Sequence, residues 1–137
     1  MNEELFVSTD PQLVDWEWLV EAVRRSYWGA RLTREQILLA GMYSIIFGLY
    51  QRGEPARMIG FARVLSDMTI VSTVTDLFVD EVHRGNGYGK LIMEAVVAHP
   101  SVKPTICFLE TKDARGFYAK FGFRLCDQDV MQRDPKP

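Results

Sequence analysis

The sequence has little of what is typical of metal-binding, membrane-spanning and nucleic-acid-binding proteins. It contains two cysteines and two histidines in 137 residues, and their spacing matches no metal-ligand pattern. The net charge of -2 argues against a nucleic-acid partner held by bulk positive charge. The longest apolar stretch, residues 37–50, is interrupted by glycine and serine and is too short to cross a bilayer. We therefore expect no bound metal, no nucleic-acid partner and no membrane span.

The scarce cysteines and the first residues indicate the compartment. Cys107 and Cys126 lie in apolar, strand-like contexts, which is typical of buried free thiols in a reducing environment. Residues 1–4 lack the basic segment that begins a secretory signal. These features predict a cytoplasmic protein. Because 137 residues without a linker-like segment suit one domain, we expect residues 1–137 to form a single domain.

Short apolar segments separated by polar turns predict the fold class. The predicted strands are residues 5–7, 44–50, 57–65, 70–79, 105–109, 123–126 and 130–132. Four helices are predicted. The first begins at residues 9–11 and ends near residue 26, and the second begins at a capping box at residues 33–36. The third runs from the glycine-rich segment to about residue 99, and the fourth covers residues 113–121. Short turns predict antiparallel neighbours, whereas a helical crossover predicts a parallel partner for residues 105–109. The expected fold is α/β (α+β), with a mixed, mostly antiparallel sheet flanked by helices.

One stretch, residues 76–95, carries the clearest chemical signal. It runs from an apolar strand end, through three glycines at alternate positions, into apolar residues at helical spacing. The first N–H groups of a helix are unpaired and carry partial positive charge, and glycines let a ligand approach the backbone closely. The order strand, glycine turn and helix therefore predicts a cradle for phosphate. A purely structural glycine turn is the simpler alternative.

Two common phosphate motifs fit this stretch poorly. A nucleotide P-loop needs serine or threonine after its Gly-Lys pair, and here Leu91 follows Lys90. A dinucleotide-binding loop needs glycine where Lys90 stands, although Glu110 lies near the distance of that fold's ribose carboxylate. A dinucleotide-dependent oxidoreductase therefore stays as a weaker alternative.

The pattern Gln/Arg-x-x-Gly-x-Gly/Ala is met without a gap by Arg84, Gly87 and Gly89. Between its strand and its helix, this pattern resembles the acyl-CoA signature of the GCN5-related N-acetyltransferases, the GNAT family. The resemblance implies that the loop's backbone amides hold the CoA pyrophosphate and that a backbone N–H near Val79 stabilises the thioester oxygen. It makes acetyl-CoA the expected co-substrate. The residues predicted to bind it are Leu77, Phe78, Val79, Arg84, Gly85, Asn86, Gly87, Tyr88, Gly89, Lys90, Thr111, Ala114, Phe117 and Tyr118.

A second motif, A-R-G-F-Y-A-K-F-G-F at residues 114–123, resembles the closing motif of the same family. Gly122 suits a helix end that needs a positive φ. The resemblance implies that Tyr118 donates a proton to the departing CoA thiolate. Two positions depart from the family pattern. Glu81 stands where proline is frequent, and Thr111 stands where an asparagine often contacts the cofactor.

Four further residues are candidates for the acceptor side of the site. Asp76 either takes a proton from an ammonium group or hydrogen-bonds a neighbouring loop. Glu110 is an acceptor-site charge or a hydrogen-bond partner at the end of a strand. Tyr27 and Trp28 either fill the core or form one wall of the acceptor pocket. The resemblance favours the wall, because the family places its first loop over the acceptor.

The predicted function is that of an N-acetyltransferase. It would move an acetyl group from acetyl-CoA to a primary amine of a small molecule or peptide. No Ser/His or Cys/His pair stands at the spacing of a covalent nucleophile, which indicates direct attack by the amine. A non-catalytic acyl-CoA-binding sensor is the alternative, and such a sensor would not need Tyr118. The expected partners are the amine acceptor and, as an open option, a second copy of the chain in a homodimer.

Overall fold

The computed structural model describes residues 4–26 and 29–136. Its strands are β1 (Leu5–Ser8), β2 (Ile45–Gln51), β3 (Arg57–Ser66), β4 (Val71–Val79) and β5 (Ile106–Leu109). Its α-helices are α1 (Trp16–Arg25), α2 (Arg34–Met42), α3 (Tyr88–Ala98) and α4 (Arg115–Ala119). Short 3-10 turns lie at Pro11–Leu13 and Glu81–His83.

In the described part of the chain, the strands form one sheet in the order β1-β2-β3-β4-β5. The strands β1 to β4 are antiparallel neighbours, and short turns join β2, β3 and β4. Strand β5 runs parallel to β4, because α3 carries the chain back along the sheet between them. The predicted mixed, mostly antiparallel sheet flanked by helices is confirmed.

Helices pack on both faces of this sheet. We call the apolar group under α1 and α2 the α1 cluster, and the group under α3 the α3 cluster. The buried members of the α1 cluster are Val14, Leu19, Val20, Ala22, Val23, Ile37, Ile46, Tyr50, Met58 and Phe61. Those of the α3 cluster are Phe47, Leu49, Ile59, Ala62, Val64, Val74, Ile92, Met93, Val96 and Val102. Removing these side chains from water is the main force that holds the layers together.

The helix starts confirm one sequence signal and correct another. The capping box at residues 33–36 is present and begins α2. The predicted start of the first helix at residues 9–11 is wrong, because Asp10 caps only the short turn Pro11–Leu13. The helix α1 begins after Asp15, whose Oδ1 accepts a hydrogen bond from the backbone N–H of Trp18 at 3.1 Å.

One residue of β4, Thr75, has no partner opposite it on β3. Arg63 lies opposite Asp76 and Val64 lies opposite Val74, so Thr75 forms a β-bulge. The hydroxyl of Thr75 donates to the carbonyl oxygen of Arg63 at 3.0 Å.

The bulge changes which side chains of β4 face α1. In a regular strand successive side chains alternate between the faces, so Val74 and Leu77 would lie on opposite sides. Here both pack in or against the α3 cluster, whereas Phe78 packs against the α1 cluster. Asp76 consequently lies on the same side of the sheet as α1.

The segment that follows α4 corrects two sequence expectations. Residues 123–126 and 130–132 were expected to be strands, but neither pairs with the sheet. A strand needs a hydrogen-bonded neighbour, and the acidic sequence D-Q-D between these segments favours solvent. Cys126 is exposed for the same reason, so the expectation of a buried thiol is wrong there, while Cys107 on β5 is half-buried.

Candidate active site

The glycine turn between β4 and α3 has the geometry of an anion cradle. Gly85 and Gly87 have φ of 84° and 77°, in the left-handed region that favours glycine. Gly87 is the N-cap residue of α3, and no side chain of the described residues caps this helix end. A Cβ added at either glycine would meet no atom within 4 Å. The turn therefore presents open backbone at the positive end of the helix.

Arg84 closes the turn against the end of β4. Its Nε donates to the carbonyl oxygen of Val79 at 2.9 Å, and its guanidinium lies over the ring of Phe78, 5.4 Å from the centroid. At the tip of the turn, Nδ2 of Asn86 donates to the carbonyl oxygen of His83 at 2.9 Å. These contacts hold the shape of the turn and place a cation beside it.

The second sequence motif lies beside the first. A Cβ added at Gly89 would lie 3.5 Å from Cζ of Phe117, so the ring of this α4 residue rests on the first turn of α3. Gly122, just after α4, has the expected positive φ of 90°. The fold therefore brings together two motifs that are separated by β5 in the sequence.

A cleft of about 320 Å³ opens on the α1 side of β4. Pairing between β4 and β5 ends at Val74 and Leu109, and the cleft lies around this point. Its walls come from the end of α1, from β3 and β4, from the end of β5 and from α4. Of the predicted site residues, the structure brings Asp76, Leu77, Phe78, Glu110 and Tyr118 to this one cleft.

Asp76 is the buried carboxylate of the cleft, and 7% of it is exposed. Its Oδ2 lies 2.7 Å from Nε of Arg63, directly across the β3–β4 ladder. Burial raises the pKa of Asp76, while the hydrogen bond and the charge of Arg63 oppose that shift. The hydrogen-bond partner of Asp76 thus lies on a neighbouring strand and not in a loop.

Arg63 is a residue that the sequence interpretation missed. The available signal was a lone cation within the apolar run I-G-F-A-R-V-L at residues 59–65. A cation in such a run needs a buried partner of opposite charge, because burying an isolated charge is very costly. Only the strand register shows that this partner is Asp76.

Tyr118 is half-buried and lines the cleft together with Asp76. Its ring centroid lies 5.0 Å from that of Phe117 and 6.1 Å from that of Phe123, both edge-on. Burial raises the pKa of Tyr118, so the hydroxyl stays protonated to higher pH than that of a solvated tyrosine. The geometry thus places a phenol proton and a buried carboxylate in one cleft.

Residues 42–125 match the sequence profile of the Acetyltransferase (GNAT) domain. The matched range contains β2 to β5, the glycine turn and the second motif. The chain belongs to the GNAT acetyltransferase family.

Proteins from several organisms resemble the chain in sequence or in structure. The uncharacterized N-acetyltransferase ycf52 of Porphyra purpurea is 32% identical over 83 residues, which are 58% of this chain and 48% of that protein. The chain thus spans about half the length of the curated relatives it matches. A crystal structure from Xanthomonas campestris pv. campestris, of a protein described as belonging to the GNAT family, has a TM-score of 0.86 at 34% identity, covering 96% of this chain and 93% of that one. A GNAT family protein of Streptococcus pneumoniae TIGR4 has a TM-score of 0.71 at 20% identity, covering 97% and 98%, and this likeness shows the fold alone.

Three predicted residues differ from the GNAT expectation or fall outside the described structure. Thr111 stands at the frequent asparagine position, and its Oγ1 accepts a hydrogen bond from the backbone N–H of Ala114 at 3.0 Å. Its hydroxyl is therefore engaged in the turn before α4. Tyr27 and Trp28 lie outside the described residues, so their position stays a prediction. Ser26, which precedes them, lines the cleft.

The described residues lack the features of a membrane span and of a metal site. None of the helices within residues 4–26 and 29–136 is long and apolar enough to span a membrane. The same residues contain no group of three or more histidine, cysteine, aspartate or glutamate side chains that could hold a metal ion.

Proposed function

We propose that this GNAT domain transfers an acetyl group from acetyl-CoA to the primary amine of a small molecule or peptide, by direct attack of the amine. The observation that carries the proposal is that one strand, β4, contributes to both halves of the site. Its last residues, 77–79, lead into the glycine turn, and its Asp76 lines the cleft with Tyr118. A phosphate cradle and a proton-transfer cleft therefore share one strand.

The glycine turn fits the pyrophosphate of acetyl-CoA. Gly85 and Gly87 leave open space over the backbone, and α3 begins without a side-chain cap. Arg84 and the exposed Lys90 add positive charge at this end of the helix. We assign the pyrophosphate to the backbone N–H groups of residues 85–90. When bound, acetyl-CoA supplies an acetyl thioester that an amine can attack.

The free edge of β4 supports the rest of the donor site. Beyond Val74 no strand among the described residues pairs with β4 on its β5 side, because the paired residues end at Val74 and Leu109. Extended backbone with an open edge readily accepts a further hydrogen-bonding chain. We assign the amide-containing arm of acetyl-CoA to residues 77–79 and the stabilisation of the thioester oxygen to a backbone N–H near Val79. Thr111, Ala114 and Phe117 are the proposed residues on the facing side.

Asp76 and Tyr118 are the proposed catalytic residues. Asp76 accepts a proton from the incoming ammonium group and so frees the nitrogen lone pair. Tyr118, which burial keeps protonated, donates its proton to the departing thiolate sulfur. Glu110 is exposed at the same cleft, where its charge attracts a cationic acceptor. Tyr27 and Trp28 are kept as a proposed further wall of the acceptor pocket.

The state of Cys107 supports direct transfer. A covalent acetyl-enzyme would need an activated nucleophile, and a cysteine acts as one in its thiolate form. Cys107 is half-buried on β5 and does not line the cleft. Burial raises the pKa of its thiol, which disfavours the thiolate.

An acceptor screen tests the proposed function. The purified chain is mixed with acetyl-CoA and a panel of amino acids, polyamines, drug-like amines and short peptides, and release of free CoA thiol is followed. We expect release with at least one primary amine, with a mass gain of one acetyl group on that amine. Binding of acetyl-CoA in a calorimeter without transfer to any amine would instead identify an acyl-CoA-binding sensor. Binding of NAD with no binding of CoA would favour the dinucleotide alternative.

A further inference from the structure

Arg63 and Asp76 form a largely buried ion pair beside the proposed acceptor cleft. They lie directly opposite each other on β3 and β4, and their side chains are 20% and 4% exposed. Removing two charges from water costs about several kcal/mol per ion, and an apolar pair often stabilises a protein equally well or better. The ion pair therefore indicates a role beyond joining two strands.

The guanidinium of Arg63 is also held from a second side. Its Nη1 donates to Oγ of Ser44 at 3.1 Å, and the Ser44 hydroxyl donates to the carbonyl oxygen of Ala40 at 2.7 Å. Arg63 is thereby fixed between the end of α2 and β4. Arg63 does not line the cleft, whereas Asp76 does. An effect of Arg63 on the reaction would therefore pass through Asp76.

We propose that Arg63 is a positioning residue that holds Asp76 as an oriented carboxylate, with Oδ2 bound and Oδ1 left to take the proton of the acceptor ammonium. This role rests on the acetyl transfer proposed above. Among residues 4–26 and 29–136, the guanidinium of Arg63 is the hydrogen-bond donor to the Asp76 side chain, and it binds Oδ2. Burial alone would raise the pKa of Asp76 further, and Arg63 opposes this. Without its partner, Asp76 would be protonated over a wider pH range and unable to act as a base.

The protons balance without a further reactant. An acceptor ammonium carries three N–H protons and the amide product keeps one. Asp76 takes the first proton and passes it to water. The second leaves the attacking nitrogen as the C–N bond forms and the C–S bond breaks. Tyr118 gives its proton to the thiolate and regains one from the nitrogen through water, so one proton is released overall.

Other titratable groups line the same cleft as Asp76. Glu110, just after β5, lines the cleft and carries a second negative charge, but the pKa of Asp76 is shifted by burial and by Arg63. Tyr118 of α4 is neutral below its raised pKa. The described end of α1 contributes only uncharged side chains to the lining. Among these groups, Arg63 is the cation in contact with Asp76.

The pH profile of kcat/KM with an accepted amine tests this role. Arg63→Met keeps a long side chain and removes the charge. A neighbouring opposite charge lowers a carboxyl pKa by about 1–3 units, so the acid limb should move upward by about that amount. At pH values below the acid limb, kcat/KM of Arg63→Met should be about tenfold or more below that of the parent. At pH values well above the limb, the two values should be nearly equal. Arg63→Lys keeps the charge and should move the limb less.

Two further variants make the result specific. Arg34→Met removes a different ion pair, between Arg34 of α2 and Glu17 of α1, and should leave the limb in place. Asp76→Asn should remove the contribution of Asp76 and leave only the limb set by the acceptor's own ammonium. The acceptor's own ammonium titrates identically in every variant, so it cannot account for a difference between them.

The outcomes separate this role from the proposed function. A limb that stays in place in both Arg63 variants, together with a lower melting temperature, would make Arg63 purely structural and overturn the role. If Arg63→Met does not fold, Arg63→Gln, which also removes the charge, decides by the same criterion. If the parent chain acetylates no amine, the proposed function is wrong. The proposed role of Arg63 is then wrong as well.

Discussion

Tyr50 leans over Gly48, two residues earlier on β2, so that a Cβ on Gly48 would overlap the hydroxyl oxygen of Tyr50. The ring of Tyr50 is fully buried and stacks on Phe6 with centroids 5.3 Å apart. No group within the described residues hydrogen-bonds the hydroxyl. Burial raises the pKa of Tyr50 to about 12. A buried hydroxyl without a partner lowers the free energy of unfolding, so this position limits the stability of the fold.

Tyr50→Phe keeps the ring and removes the hydroxyl. We expect the free energy of unfolding at neutral pH to be unchanged or to rise by up to about 1 kcal/mol. The folded-state pKa lies above the unfolded value of about 10, so the parent should lose stability as pH rises from about 10 toward 12. The variant should lack that loss. Urea unfolding followed by circular dichroism between neutral and alkaline pH measures both effects.

Tyr43→Phe is the matched control, because Tyr43 is exposed. It should leave stability unchanged at neutral pH and should keep the alkaline loss of the parent. A typical hydrogen bond contributes about 1 kcal/mol to stability. If Tyr50→Phe lowered the free energy of unfolding by about that amount or more, the hydroxyl would have a hydrogen-bond partner such as bound water.

Gly87→Glu should abolish acetyl-CoA binding while the protein stays folded. The carboxylate would stand where the pyrophosphate is proposed to bind, and like charges in contact cost several kcal/mol, or about a hundredfold in affinity. Gly122→Glu is the control, because Gly122 also has a positive φ and open space around its Cα. Both variants bear a similar backbone strain of about 1–2 kcal/mol. Calorimetry with acetyl-CoA should find binding only in the control, and equal affinity in both variants would remove the phosphate cradle.

Tyr118→Phe should lower kcat by roughly 10- to 100-fold and leave the dissociation constant of acetyl-CoA nearly unchanged. General acid catalysis is worth about 10²–10⁴-fold, and a thiolate with a pKa of about 8.5 leaves fairly well unaided, which puts this case at the low end. Because the pKa of Tyr118 is raised, its donor form is lost only at high pH, on the alkaline limb of kcat. That limb should disappear in the variant. Steady-state rates across the pH range measure this.

A parent-like rate in Tyr118→Phe at every pH would assign protonation of the thiolate to another group or to water. Phe117→Leu serves as a packing control, since Phe117 contacts Tyr118 but carries no proton. It should change the dissociation constant of acetyl-CoA and not the shape of the pH profile.

Local signals predicted the parts of the fold that local chemistry decides. The capping box at residues 33–36 and the glycine turn at residues 85–89 each specify their own backbone, so both appear where the sequence placed them. Asp10 shows the limit of such signals. It caps a helical turn, as an aspartate before Pro11 should, but the turn ends at Leu13 and the true cap is Asp15. Both aspartates have suitable chemistry, and packing on the sheet decides between them.

Two features that depend on distant partners were not predicted. The acidic segment after Gly122 has residues typical of strands, yet strand formation needs a neighbour that sequence alone does not identify. Arg63 and Asp76 are separated by 13 positions, and their contact follows from the β3–β4 register, including its bulge. The sequence therefore singled out Asp76 as a candidate, while its contact with Arg63 followed only from the register.

The bulge at Thr75 decides which side chains of β4 face each side of the sheet. Side chains on a strand alternate with a period of two, so one extra residue inverts the inward and outward positions of everything that follows. Pairing Thr75 into a regular ladder would move Asp76 and Phe78 to the α3 side of the sheet, whereas deleting Thr75 would keep Asp76 opposite Arg63 and on the α1 side. Replacing Thr75 by a residue without a hydroxyl would remove its hydrogen bond to the carbonyl oxygen of Arg63. The direction in which Asp76 faces thus depends on Thr75 staying unpaired between β3 and β4.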